Sequence, residues 1–121
     1  MFRIWHQGFV DFDAVPIYRA SFEVHIAQIL PLDTTVRLHG LMPGTFRSAV
    51  TPIDALRFPA VEALLEDQII ASAELAASEG FDAVAINCFY DPGVRIARSL
   101  VDIPVVGLFE SCVLTAMSVG A

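Results

Sequence analysis

Two hydrophobic rhythms alternate along the chain. Residues 2–6 form a short apolar run that reads as a strand. Asp11 or Asp13 then offers a helix cap, and Ile17, Ala20, Val24 and Ala27 recur at helical spacing as far as Leu30. That line is expected to face a sheet. A second line, Phe22, Ile26 and Ile29, lies off it and points either to burial under a loop or to contact with another lobe. Residues 34–39 form a second strand closed by Gly40, and a long loop runs from Leu41 to about Arg57 with Pro43-Gly44 and Pro52 as turn signals. Phe58-Pro59 opens a helix carrying Val61, Leu65, Ile69 and Ala73 and ending at Gly80. Residues 81–87 are a third strand. Asp91-Pro92-Gly93 starts a helix with Ile96, Ala97 and Leu100. Residues 103–108 are a fourth strand, and Glu110-Ser111 begins a last helix. Strict β–α alternation predicts an α/β fold: a four-stranded parallel sheet with right-handed crossovers and helices on both faces, in a single lobe over residues 1–121.

Composition sharpens this picture. The chain is 55% apolar and only 17% charged, which is a greasy balance for 121 residues. A membrane, a partner or a missing lobe would account for it. The membrane account fails on pattern, because residues 103–121 are interrupted by Pro104, Gly107 and Glu110. The N-terminus lacks the basic and apolar regions of a secretory signal. Net charge is −7, and lysine is absent. These facts exclude a Schiff-base lysine and a Walker-type phosphate loop, and they argue against nucleic acid as a partner. Cys88 and Cys112, 24 positions apart, match neither a disulfide framework nor a zinc site. Free thiols, a cytoplasmic location and no metal are the expectation.

In open α/β sheets, ligands bind beyond the carboxyl ends of the strands. Cys88 falls there, after the third strand and just before a helix start, where a dipole and free N–H groups favour a thiolate or a ligand oxygen. A small buried hydrophobe is the alternative role for that thiol. Cys112 reads as a buried cysteine, and His25 as a partly buried spacer on a helix. Glu110 opens the last helix, where capping competes with ligand binding. Glu66 and Asp67 read as a solvated helix face.

The run Asn87-Cys88-Phe89-Tyr90-Asp91-Pro92-Gly93, followed by Ala97-Arg98-Ser99-Leu100 and Ile103-Pro104-Val105-Val106-Gly107, resembles the aspartate/glutamate/hydantoin racemase superfamily, its hydantoin racemase branch in particular. Ile4-Trp5-His6-Gln7, Leu38-His39-Gly40 and Pro43-Gly44-Thr45 resemble one group of these proteins. The resemblance implies a flavodoxin-like lobe and cofactor-independent proton transfer on a small carbon acid. Two cysteines would work from opposite faces. Cys88 takes the first of those roles, and Gln7, Phe89, Tyr90 and Glu110 take substrate-binding positions. Such proteins have two lobes, so the resemblance covers the N-terminal one. The second cysteine would come from a second lobe or from a homo-oligomer, and Cys112 does not match it. A truncated or non-catalytic small-ligand-binding lobe of the same fold is the alternative. A receiver-like or phosphate-binding domain is disfavoured, because no acidic pair follows the first strand and no Gly-rich phosphate loop is present.

Overall fold

The structure, a computed structural model, describes residues 1–46 and 57–120. Its elements are β1 (Phe2–Gln7), α1 (Pro16–Ile29), β2 (Thr34–His39), α2 (Pro59–Ser78), β3 (Ala83–Ile86), α3 (Val94–Ala97), β4 (Val105–Gly107) and α4 (Leu108–Ser118). All four strands are parallel, in the order β2-β1-β3-β4. The chain therefore steps outward from β1 to β2, then returns to the other side of β1 for β3. That reversal creates a switch point between the carboxyl ends of β1 and β3, the place where such sheets bind ligands. The part of the expected long loop at residues 47–56, with its Pro52 turn signal, lies outside the described residues.

Period-two alternation gives the sheet two unlike faces. Register pairs Trp5 with Val84 and Val84 with Val105, so these side chains share one face. Against it α2 lays Ile69, Ala73 and Ala76, and α3 adds Val94 and Ala97. The α2 stripe is the one the sequence predicts: Leu65, Ile69 and Ala73 are fully buried. Burying each large side chain contributes roughly 1.5–3 kcal/mol. At the amino edge, Arg3 donates from Nη1 to the carbonyls of Glu79 and Gly80, both at 3.0 Å, and so closes the carboxyl end of α2. Its guanidinium lies 4.3 Å from the Phe81 ring centroid.

The other face carries Ile4, His6, Val36, Ala85 and Val106, and it is covered loosely. Neither α1 nor α4 contributes a buried residue. A cavity of about 340 Å³ opens between this face, α1 and the start of α4.

Helix α1 corrects the sequence reading. Phe22 and Ile26, from the line set aside, face the sheet and line this cavity, whereas Ile17 and Val24 point to solvent. The two lines are equally apolar, so periodicity alone cannot choose between them. Helix α1 also begins later than expected, at Pro16. Asp11 instead accepts the Asp13 N–H at 3.0 Å in the turn before it, and no side chain caps the helix. Helix α3 is one turn long rather than a full helix: it starts after Gly93, whose φ is +66°, and ends at Ala97, short of the Leu100 expected within it.

His6 is the unusual occupant of the loose face. It is 7% exposed, and neither ring nitrogen has a hydrogen-bond partner among the described residues. Phe22 meets its ring edge-on at 4.9 Å. Burial lowers its pKa to about 4, against a small opposing pull from its own backbone. An unfolded His6 would take up a proton near pH 6.5, and the folded one resists until about pH 4. Folding stability therefore falls as pH drops through that window, by about 3 kcal/mol for this group. Urea unfolding at pH 7 and pH 4.5 is expected to show a larger loss for the wild type than for His6→Leu. Equal losses would remove His6 as the cause.

Candidate functional site

The site begins where β3 ends. The Asn87 N–H donates to the Gln7 carbonyl at 2.9 Å and carries the β1–β3 ladder one residue further. The chain then turns. The Asp91 N–H donates to the Cys88 carbonyl at 3.1 Å, so residues 88–91 close a four-residue turn with Cys88 at its first corner. Asp91 itself has φ +54°, a left-handed conformation that an Asp tolerates better than most residues.

That conformation aims the Asp91 carboxylate at the start of α4. Its two oxygens accept the N–H groups of Phe109 (2.9 Å) and Glu110 (2.8 Å), two of the donors a helix leaves unsatisfied. The approach requires a glycine at position 107. A methyl group there would lie 2.3–2.6 Å from the Asp91 carboxylate atoms. One side chain thus ties the cysteine turn to the β4–α4 junction.

Cys88 is half-buried within this turn. Burial pushes its thiol above the ordinary range. The neighbouring Tyr90 and Phe89 backbone N–H groups oppose that shift, and the Asp91 carboxylate adds to it. The sulfur thus has hydrogen-bond donors at hand, but its local field favours the protonated form. Phe89 and Phe109 meet edge to face at 5.4 Å and build an exposed apolar wall beside it. The Tyr90 hydroxyl donates to Glu62 Oε1 at 3.3 Å. Burial raises the phenol to about 12, and the carboxylates of Glu62 and Glu66 add to the shift.

The other sequence-predicted residues divide by their surroundings. Gln7 stands at the end of β1, next to the site, but it is fully buried and its amide is committed. Nε2 donates to the carbonyls of Gly8 (3.1 Å) and Gly40 (3.2 Å), and Oε1 accepts from the Trp5 indole at 3.4 Å. It braces the ends of β1 and β2. Glu110 faces Arg98 in a two-pronged ion pair, Nη1 to Oε2 at 3.0 Å and Nη2 to Oε1. It also accepts the Gly107 N–H at 3.1 Å, so its side chain caps the N-terminus of its own helix. The Arg98 hydrogen bonds hold its carboxyl below the usual range. Cys112 is exposed on α4, contrary to the buried placement expected, and His25 is exposed. Glu66 is half-buried while its neighbour Asp67 is exposed, so only Asp67 is the solvated residue expected of both.

Two participants escape sequence reasoning. The local pattern around Asp91 signals only a helix start, although its carboxylate acts on α4, 18 and 19 residues on. Glu62 reaches Tyr90 across 28 residues of sequence, and no local pattern signals that. Among the described residues no three His, Cys, Asp or Glu side chains group as a metal site, and no helix is long and apolar enough to cross a membrane.

Comparison with known proteins follows the same outline. The profile of a family described as Asp/Glu/Hydantoin racemase matches residues 33–121. A hydantoin racemase of Rhizobium meliloti is 33% identical over 78 residues, covering 62% of this chain and 32% of that protein. A hydantoin racemase of Pseudomonas sp. (strain NS671) is 49% identical over 43 residues, covering 36% of this chain and 17% of that protein. The chain thus matches a third or less of the length of these relatives. An allantoin racemase from Klebsiella pneumoniae has the same fold, with a TM-score of 0.70 at 19% identity over 98% of this chain and 44% of its own. The shared fold and the profile match over most of the chain agree, and the protein belongs to the Asp/Glu/Hydantoin racemase family.

Proposed function

We propose that this lobe supplies one half of a cofactor-independent racemase site, with Cys88 exchanging a proton with the α-carbon of a small carbon acid such as an amino acid, a hydantoin or a related ureide. The observation that carries the reading is the position of Cys88. It stands at the switch point, half-buried on a turn closed by the Asp91 N–H and tied by the Asp91 carboxylate to the start of α4. General acid–base catalysis needs a titratable group in reach of the carbon and donors for the developing enolate.

The protonated state favoured at Cys88 suits the donor half of such an exchange. Removing the α-proton from the opposite face then falls to a second group outside this lobe, in a further lobe or a second copy of the chain. Phe89 and Tyr90 are the side chains placed to border the substrate. Gln7 and Glu110 act one step back as positioning residues, Gln7 by bracing the strand ends and Glu110 by fixing the start of α4 against Arg98. A non-catalytic, ligand-binding lobe is the second reading. It is favoured by the raised thiol, which burial keeps protonated.

Incubation with one enantiomer of a 5-substituted hydantoin in D2O separates the two. The catalytic reading expects deuterium at the α-carbon, at a rate that Cys88→Ala lowers by about 100-fold or more, the usual scale of one acid–base group. Exchange equal to the Cys88→Ala background would leave the ligand-binding reading. The protonation state has its own test, alkylation of Cys88 by iodoacetamide in a Cys112→Ser background as pH rises. The rate is expected to climb with a midpoint above that of a free cysteine. A midpoint at or below the free value would contradict the donor role.

A further inference from the structure

Two apolar features stand uncovered among the described residues, a groove and a ridge. The groove is the cavity on the loose face. Helices α2 and α3 cover the opposite face. The groove floor of Ile4, Ala85 and Val106 is therefore walled by α1, through Ile26 and Ile29, and by the start of α4. The ridge is α4 beyond that start. None of its residues is buried, and Leu114 and Met117 are 65% and 73% exposed. With Val113 they share one side of the helix at i, i+3 and i, i+4 spacing, the pattern by which a helix enters an apolar groove. Charge sets both features apart. The chain carries a net charge of −7, so two copies repel wherever their carboxylates meet. No residue lining the groove bears a carboxylate or a guanidinium. The one charged residue of α4, Glu110, is neutralised by Arg98. Area agrees with a missing contact. The folded chain exposes 7763 Å², whereas a compact monomer of 13.2 kDa exposes about 6,400 Å². The excess is larger than the ~800 Å² that each partner gives to a standard interface.

We propose that the groove takes helix α4 of a second copy of this chain, and that the exchange is reciprocal about a two-fold axis. Each copy supplies one groove and one ridge, so the contact closes as a dimer and leaves neither feature uncovered. The start of α4 is itself a wall of the groove. The incoming helix therefore lies beside its counterpart, and the two α4 helices form a layer between two sheets. Burial of Val113, Leu114 and Met117 drives the association, and the absence of charge on both surfaces is what allows two acidic chains to meet there. This surface does not rest on the chemistry of Cys88, and its occupancy is measured without turnover.

Sedimentation equilibrium of the full chain tests this, under reductant so that a disulfide through the exposed Cys112 does not count. At about 50 μM, above the micromolar upper end for interfaces of standard size, the mass is expected to be twice 13.2 kDa. Leu114→Glu charges the ridge and Ile29→Glu charges the groove wall. Both positions are exposed in the single chain, so each variant should keep the circular dichroism of the wild type. Each is expected to raise the dissociation constant by about 100-fold or more, because the new carboxylate loses its water without gaining a partner. Ile17→Glu adds the same charge on the solvent side of α1 and should leave the dimer in place. The wild type gives a second reading. Raising salt from about 10 mM to about 1 M should tighten the dimer, since it screens the repulsion between two acidic chains. A mass of one chain at 50 μM would overturn the proposal and leave the groove to another occupant, such as a helix of a further lobe. Loss of the dimer with only one of Leu114→Glu and Ile29→Glu, equal loss with Ile17→Glu, or weakening by salt would also overturn it.

Discussion

The hydrogen bonds from the start of α4 to the Asp91 carboxylate are the constraint on which the site depends. They join two parts of the chain that the sheet alone would leave independent: the turn after β3 and the junction after β4. Three local features make them possible. Asp91 adopts a left-handed backbone, Gly107 has no side chain to obstruct the approach, and α4 offers two N–H donors without partners in its own first turn. The Cys88 carbonyl is held by the same residue's backbone N–H. Asp91 therefore sets the direction of the turn, and its charge adds to the upward pull that burial exerts on the thiol.

The unequal faces of the sheet explain the composition. One face is closed by α2 and α3 over Trp5, Val84, Ile86 and Val105. The other has α1 and α4 nearby without a single buried residue from either helix. Much of the 55% apolar content consequently remains at the surface, in Ile17, Val24, Leu114 and Met117 among others. His6 sits on this looser face as a neutral imidazole whose two ring nitrogens have no partner among the described residues, at a desolvation cost.

The sequence is legible where a signal is local. Short apolar runs locate the four strands, and a single apolar stripe with Pro59 and Gly80 at its ends locates α2. Cys88 is legible as a strand-end residue because its neighbours include turn formers. The orientation of α1 is not, since two apolar lines compete and only packing against Ile4, His6 and Val36 selects Phe22 and Ile26. Gln7 has the position of a binding residue. The carbonyls of Gly8 and Gly40, one of them on another strand's end, commit its amide to bracing. Glu110 is equally open in sequence to ligand or cap, and Arg98, folded back from beyond α3, makes it an ion-paired cap.

If Asp91 holds the cysteine turn, loosening its carboxylate must be felt at both ends of the clasp. Amide hydrogen exchange in Asp91→Asn measures this directly, because Asn tolerates the left-handed backbone but keeps only one acceptor oxygen. The account predicts faster exchange at the Phe109 and Glu110 amides, and also at those of Phe89 and Tyr90 beside Cys88. Acceleration confined to Phe109 and Glu110, with Phe89 and Tyr90 exchanging as in the wild type, would contradict it.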